Sequence, residues 1–131
     1  MPFDAHAIFA NLAEKERVKG HHSPEGRAIR TLSRALNGWS NGNLSAPDVI
    51  VLCDQVIEDW LKACLKRSPW SVQSLPTLLE QGVKNNVLSR LEAVRVQKVR
   101  HLRAAEREGG ISKQDVETTL EFCIELIEKR W

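Results

Sequence analysis

Apolar residues recur at steps of three and four along most of this chain, which is typical of amphipathic helices rather than strands. The clearest case begins with Ser-Ala-Pro-Asp at 45–48, which we interpret as a capping box, and continues to about Lys66. The apolar stripe along this helix is broad, so we expect a central helix that other helices contact on more than one side. The stripe consists of Val49, Cys53, Val56, Ile57, Trp60 and Cys64, widened by Leu52, Leu61 and Leu65.

Start and stop signals divide the first forty residues into two further helices. Asp4 can cap a helix that reaches about Lys19, and Ser23 before Pro24 can begin the next one. We interpret the segment from 37 to 43, which begins with Asn-Gly, as a turn-rich loop. Residues 1–40 carry no motif to which we assign a function.

The second half of the chain predicts three more helices. A short one starts at Ser74 and can end at Gly82, and Asn86 can cap a long basic helix that reaches about Glu108. Gly-Gly at 109–110 stops that helix, and a second capping box at Ser112 opens the last one. The last stripe is Val116, Leu120, Cys123, Ile127 and Trp131.

The composition agrees with one ordinary domain. The chain has 131 residues, of which 42% are hydrophobic and 27% charged, as in soluble globular proteins. No segment approaches the roughly 20 apolar residues that span a bilayer. We therefore predict a single all-α domain over residues 1–131, an up-and-down bundle of five to six helices.

Cysteines and histidines indicate a reducing compartment and no metal. Cys53, Cys64 and Cys123 form an odd set with no secretory leader in front of them, so we expect free thiols and a cytoplasmic protein. His21 and His22, even with His6, lack a carboxylate or cysteine at ligand spacing. Neither a metal nor another cofactor is predicted.

Positive charge is concentrated on the long basic helix. Residues 90–108 hold six Lys or Arg against three Glu, although the formal net charge of the chain is only +2. One stripe of this helix mixes apolar and charged residues: Leu88, Leu91, Arg95, Val99, Leu102 and Glu106. Because an unpaired buried charge is costly, this face is expected at a polar cleft or a dimer seam, or at an edge where long side chains reach water.

The end of this helix resembles the signature region of HEPN domains, which are small all-α proteins. Many of them are ribonucleases of toxin–antitoxin and defence systems. The resemblance rests on Arg100, the polar His101 directly after it, Ala-Ala at 104–105 and the glycine pair at 109–110. The histidine of the family stands six residues after the arginine, where this chain has Glu106.

The resemblance extends over residues 45–131. The helix over 48–66 is similar to the central helix of the family, and 74–79 is similar to its short connecting helix. The family ribonucleases are metal-independent homodimers whose arginine holds the scissile phosphate and whose histidine handles the proton of the ribose 2′-hydroxyl. A glutamate such as Glu106, with an ordinary pKa of about 4.3, is a weak base and a poor acid for that task.

The resemblance also implies partners. We expect a homodimer whose Leu88–Glu106 face lies at or near the seam, in contact with RNA, a cognate antitoxin or a nucleotidyltransferase protein. The candidate RNA-binding residues are Arg95, Lys98, Arg100, Arg103 and Arg107, and Arg103 is spaced to pair with Glu106 one turn away.

Three functions remain open. The preferred one is a HEPN-like module that has lost catalysis and contacts RNA or a partner protein. The second is an active metal-independent ribonuclease that uses Arg100 or Arg95 with His101, although six residues of helix turn Arg95 and His101 about 120° apart. The third is a helical scaffold with no nucleic-acid role, its basic helix merely solvated.

Overall fold

The computed structural model describes residues 5–20, 22–67, 73–104 and 110–131. Within these ranges the chain forms helices and no strand, which confirms the all-α prediction. Among the described helices, none combines the length and apolar character needed to cross a membrane. The helices are α1 (Ala5–Lys19), α2 (Pro24–Ser40), α3 (Ala46–Cys64), α4 (Leu75–Lys84), α5 (Arg90–Ala104) and α6 (Lys113–Arg130).

The core is built around α3, as its broad stripe predicts. α3 packs against α2, α4, α5 and α6. Seven of its apolar side chains are fully buried: Val49, Ile50, Cys53, Val56, Ile57, Trp60 and Leu61. α2 and α6 complete the same apolar core from either side with Ile29, Leu32, Leu36, Val116, Leu120, Cys123 and Ile127. The predicted apolar faces of α3 and α6 are confirmed, although Leu52, Cys64, Leu65 and Trp131 are only partly buried.

Serine caps fix the starts of three helices. The Ser23 hydroxyl accepts a hydrogen bond from the backbone N–H of Gly26 at 2.9 Å, and Ser45 accepts one from Asp48 at 3.4 Å. Ser112 and Asp115 form a reciprocal capping box at the start of α6. These starts were predicted because the cap and its partner lie three residues apart, within one turn.

Two glycines that suggested helix ends lie inside helices, so those predictions were wrong. α2 continues past Gly38 to Ser40, and α4 continues past Gly82 to Lys84. The physical reason is close packing. A Cβ atom at Gly38 would lie 2.3 Å from Leu44 Cδ1, and one at Gly82 would lie 3.0 Å from Leu61 Cδ2.

The start of the basic helix also differs from the prediction. Asn86 adopts a left-handed backbone with φ 60° and closes the turn after α4, rather than capping α5. Ser89 caps α5 instead. Its hydroxyl accepts from the N–H of Glu92 at 3.1 Å, and its own N–H donates to Glu92 Oε1 at 2.9 Å. The predicted continuation of this helix to Glu108 lies outside the described residues.

Candidate nucleic-acid interface

α5 has a narrow buried side and a wide exposed one. Of its described side chains, only Val96 and Val99 are buried. Leu91, which the pattern places on one stripe with Val99, is 72% exposed, because the helix is turned so that Val96 faces the core. We give the name outer face of α5 to six of its exposed residues: Arg90, Leu91, Val94, Gln97, Lys98 and His101. Arg103 and Ala104 are exposed too, but Arg103 is turned towards α3.

Arg95 connects α5 to α6. Its Nη1 donates to Glu125 Oε2 at 2.9 Å, and its guanidinium carbon lies 4.3 Å from the centroid of the Phe122 ring. The ion pair with Glu125 and the cation–π contact with Phe122 together hold the guanidinium against α6. The charge of Arg95 is thus balanced within the chain.

Arg103 connects α5 to α3. Its guanidinium donates to the carboxylate of Asp54, a residue that is only 5% exposed. A carboxylate in the apolar stripe beside Cys53 needs a cation to offset its burial. Asp54 was not among the predicted site residues, although an acid directly after the apolar run at 49–53 was the signal. Glu106, the partner predicted for Arg103, lies outside the described residues.

The one acid of α5 is also paired. Glu92 accepts a hydrogen bond from Lys129 Nζ of α6 at 2.8 Å. Partial burial opposes ionisation of Glu92, but the hydrogen bonds from Lys129 and Ser89 together lower its pKa below the ordinary value. Every charged residue on the inner side of α5 therefore has a partner on α3 or α6.

The remaining cations of α5 have no such partner. No side-chain hydrogen bond or ion pair connects Arg90, Lys98 or Arg100 to another residue in the part of the chain that the structure describes. Lys98 and the neighbouring His101 are exposed, and Arg100 is partly exposed. The unbalanced charge of the helix is thus carried by its outer face and the adjoining Arg100.

The structure separates the predicted site residues into two groups. Within the last two described turns of α5, Lys98 and His101 lie on the outer face and Arg100 lies beside it, whereas Arg95 and Arg103 reach towards the inner side. Arg107 and Glu106 lie outside the described residues. The assignment of Arg100 and Glu106 to the HEPN signature stays a prediction.

A groove of about 170 Å³ lies between α5 and α6. The two helices meet there mainly through long side chains, since their backbones approach closely at few points. The groove is lined by Arg95, Lys98, Val99, Leu102, Asp115, Thr118, Thr119 and Phe122. It has an apolar floor and a polar rim, and it adjoins the outer face at Lys98.

The thiols belong to the core. Cys123 Sγ donates to the backbone oxygen of Cys53 at 3.8 Å, and both side chains are buried between α3 and α6. Contact with Cys123 and burial raise the pKa of the Cys53 thiol, and burial raises the pKa of Cys64 to about 11. Thiols of this kind stay protonated and unreactive near neutral pH. The described residues contain no group of three or more metal-ligating side chains.

No protein-family model matches the chain, and the comparisons with curated proteins and with solved structures return no match either. The outer face of α5 and the groove beside it are therefore the observations on which a function can be argued.

Proposed function

We propose that this chain is a HEPN-like helical module that forms a homodimer and binds RNA through the outer face of α5 without cleaving it. One observation carries the proposal. The charges that α5 turns towards α3 and α6 are paired, whereas Arg90, Lys98 and Arg100 keep unpaired positive charge at the surface. Arg90 and Lys98 lie on the outer face and Arg100 lies beside it. Unpaired cations spread over the exposed side of one helix suit a ligand with regularly spaced negative charge.

As a ligand, RNA fits this surface better than an acidic patch on a partner protein does. Its phosphates present a continuous row of charge, and each contacting cation releases a bound counterion. Arg100 supplies a planar set of donors suited to two phosphate oxygens, and Lys98 supplies a mobile point charge. The exposed imidazole of His101 adds a further hydrogen-bonding group beside them.

Two features argue against cleavage. In the HEPN register Arg100 would hold the phosphate, and Glu106 would replace the histidine that transfers the proton. A carboxylate there repels the phosphate and transfers protons poorly at neutral pH. The alternative pair of Arg95 and His101 is disfavoured because Glu125 and Phe122 already engage the Arg95 guanidinium.

The proposed dimer seam uses the first half of the same helix. Leu91 and Val94 are 72% and 65% exposed, and they lie one turn apart on the outer face. Large apolar side chains grouped in this way are typical of interaction surfaces. A two-fold contact between these residues of two copies would leave the basic second halves of α5 at opposite ends of the seam.

Salt-dependent binding tests the RNA proposal. Single-stranded RNA should bind the wild-type protein tightly at low salt and weaken steeply as salt rises. Lys98→Glu with Arg100→Glu should lower the affinity by about tenfold or more and reduce the salt slope by about one per lost contact.

The matched control is Arg30→Glu with Arg34→Glu, which makes the same charge change at two exposed positions of α2. We expect this control to bind RNA nearly as well as wild type. An equal loss of RNA affinity in both double variants would contradict binding by the outer face and show that affinity follows only the net charge of the chain. Absence of RNA binding at low salt would leave the scaffold interpretation.

A single-turnover assay on a mixed RNA pool tests the loss of catalysis. We expect no cleavage by wild type or by His101→Ala, and Glu106→His is the substitution expected to gain some activity. Cleavage by wild type that disappears in His101→Ala would contradict the proposal and assign the chain as a ribonuclease.

A further inference from the structure

The Arg95 guanidinium is held at the wall of the α5–α6 groove by two contacts. Its Cζ atom lies 4.3 Å from the centroid of the Phe122 ring, and its Nη1 donates to Glu125 Oε2 at 2.9 Å. The side chain is nevertheless 37% exposed, and it lines the groove. A guanidinium whose position is set in advance loses little conformational entropy when a flat group stacks on it.

The groove has the size and polarity for one small planar ring. Its volume of about 170 Å³ lies below the range of roughly 300–1,000 Å³ that drug-sized ligands occupy. Val99, Leu102 and Phe122 supply apolar surface. The charges at the groove are nearly balanced in number, since Glu125 neutralises Arg95 and the lining holds one acid, Asp115, besides Lys98. A neutral group is therefore favoured inside over a phosphate.

The rim offers hydrogen bonds to the edge of such a ring. Thr118 Oγ1 accepts a hydrogen bond from Gln114 Nε2 at 3.2 Å, so its own O–H hydrogen is left to donate. The Lys98 ammonium, which also lines the groove, has three donors and no described partner. A nucleobase carries carbonyl and ring-nitrogen acceptors along its edge, and these can accept hydrogen bonds from Thr118 and Lys98.

We propose that the groove takes one unpaired base of a single-stranded RNA, stacked on the exposed side of Arg95. This inference rests on the proposed RNA binding and specifies its substrate class. Lys98 belongs to both the outer face and the groove, so a strand with a phosphate at Lys98 places the adjoining base at the groove mouth. A duplex keeps its bases stacked inside, whereas unpaired bases splay out onto aromatic rings and arginine planes.

The test compares an oligouridylate of about ten nucleotides with an abasic ribose-phosphate oligomer of equal length. Both carry the same phosphates, so their difference in affinity measures the base contribution. Wild type should prefer the oligouridylate by about fivefold or more, which is the smaller end of measured base-stacking effects. Arg95→Lys should abolish this preference, because lysine keeps the charge beside Glu125 but has no plane.

Two further variants secure the test. Arg17→Lys changes an arginine of α1 that is likewise ion-paired, to Glu14, and it should keep the preference. Thr118→Phe fills the groove mouth without altering Arg95 and should lose the preference as Arg95→Lys does. Thermal melting of each variant verifies the fold, and Thr118→Phe decides the matter if Arg95→Lys is unfolded.

The outcomes separate the two proposals. Equal affinity of wild type for the two oligomers, or an undiminished preference in both Arg95→Lys and Thr118→Phe, would overturn the base site while RNA binding by the outer face stands. No binding of either oligomer at low salt would overturn both.

Discussion

α3 and α5 are both amphipathic by sequence, yet they have opposite roles in the structure. α3 buries residues on nearly all sides and packs against four other helices. α5 buries only Val96 and Val99 among its described side chains and leaves Leu91 and Val94 exposed. Periodicity alone indicates that a helix has a preferred face. The number of neighbours that cover the helix decides how much surface is left for a ligand.

The same contrast holds for charge. Two acids of α3 are buried: Asp54 is ion-paired with Arg103, and burial raises the pKa of Asp59 although Gln55 donates to its carboxylate at 3.2 Å. On α5, pairing is confined to the inner side. A charge in the core must be paired to be tolerated. A charge on the outer face can stay unpaired because water solvates it until a ligand replaces the water.

The largest expected effect is in α3. Trp60→Ala should lower the free energy of unfolding by about 3–5 kcal/mol, because Trp60 is fully buried and its loss leaves a cavity. Urea denaturation measures the change. Gln97→Ala on the outer face of α5 is the control and should stay within about 0.5 kcal/mol of wild type. Similar losses in the two variants would mean that the two helices do not differ in burial as described.

The next largest loss of stability is expected at the ion pair between Arg103 of α5 and Asp54 of α3. Arg103→Ala should lower the free energy of unfolding by about 1–3 kcal/mol, because it leaves the buried Asp54 carboxylate without its cation. The same urea experiment on Arg100→Ala, which removes a cation with no described partner, should show a change below about 0.5 kcal/mol. Equal stability of the two variants would indicate that Arg103 is as solvated as Arg100.

A smaller, pH-dependent effect is expected from Glu92. Its pKa is lower in the folded protein than the ordinary value of 4.5, so its stabilisation is present above that value and is lost as the pH falls through the folded pKa. Glu92→Gln should cost about 1 kcal/mol or less at pH 7, since the pair with Lys129 is partly exposed.

Urea midpoints at pH 7 and near pH 3 test the Glu92 prediction. The difference in urea midpoint between Glu92→Gln and wild type should disappear at the lower pH. Glu128→Gln, at an exposed position of α6, is the matched control and should show no such convergence. A difference that persists unchanged in acid would assign the loss to packing rather than to charge.

The smallest effect on folding is expected at the proposed seam. Leu91→Glu with Val94→Glu should leave the fold of each chain intact and convert a dimer to a monomer in sedimentation equilibrium. Val18→Glu, at an exposed apolar position of α1, should leave the dimer unchanged. A wild-type chain that sediments as a monomer at tens of micromolar would contradict the seam.

Local sequence determined the helices and most of their starts. A serine cap and its partner lie within one turn, so Ser23, Ser45 and Ser112 act as caps whatever surrounds them. The broad stripe of α3 likewise identified the centre of the core. Glycine was less informative. Gly38 and Gly82 allow close approach of Leu44 and Leu61, which lie on other segments of the chain, and the sequence pattern does not show such neighbours.

The tertiary structure alone decided which basic residues are available to a ligand. Arg95, Lys98, Arg100 and Arg103 were all candidate RNA-binding residues by sequence, as cations a few residues apart on one helix. Folding brings acids of α3 and α6, distant along the chain, to two of them, and leaves the other two at the surface. Charge composition is a local property, whereas charge neutralisation depends on contacts between distant segments, and only the folded chain sets those contacts.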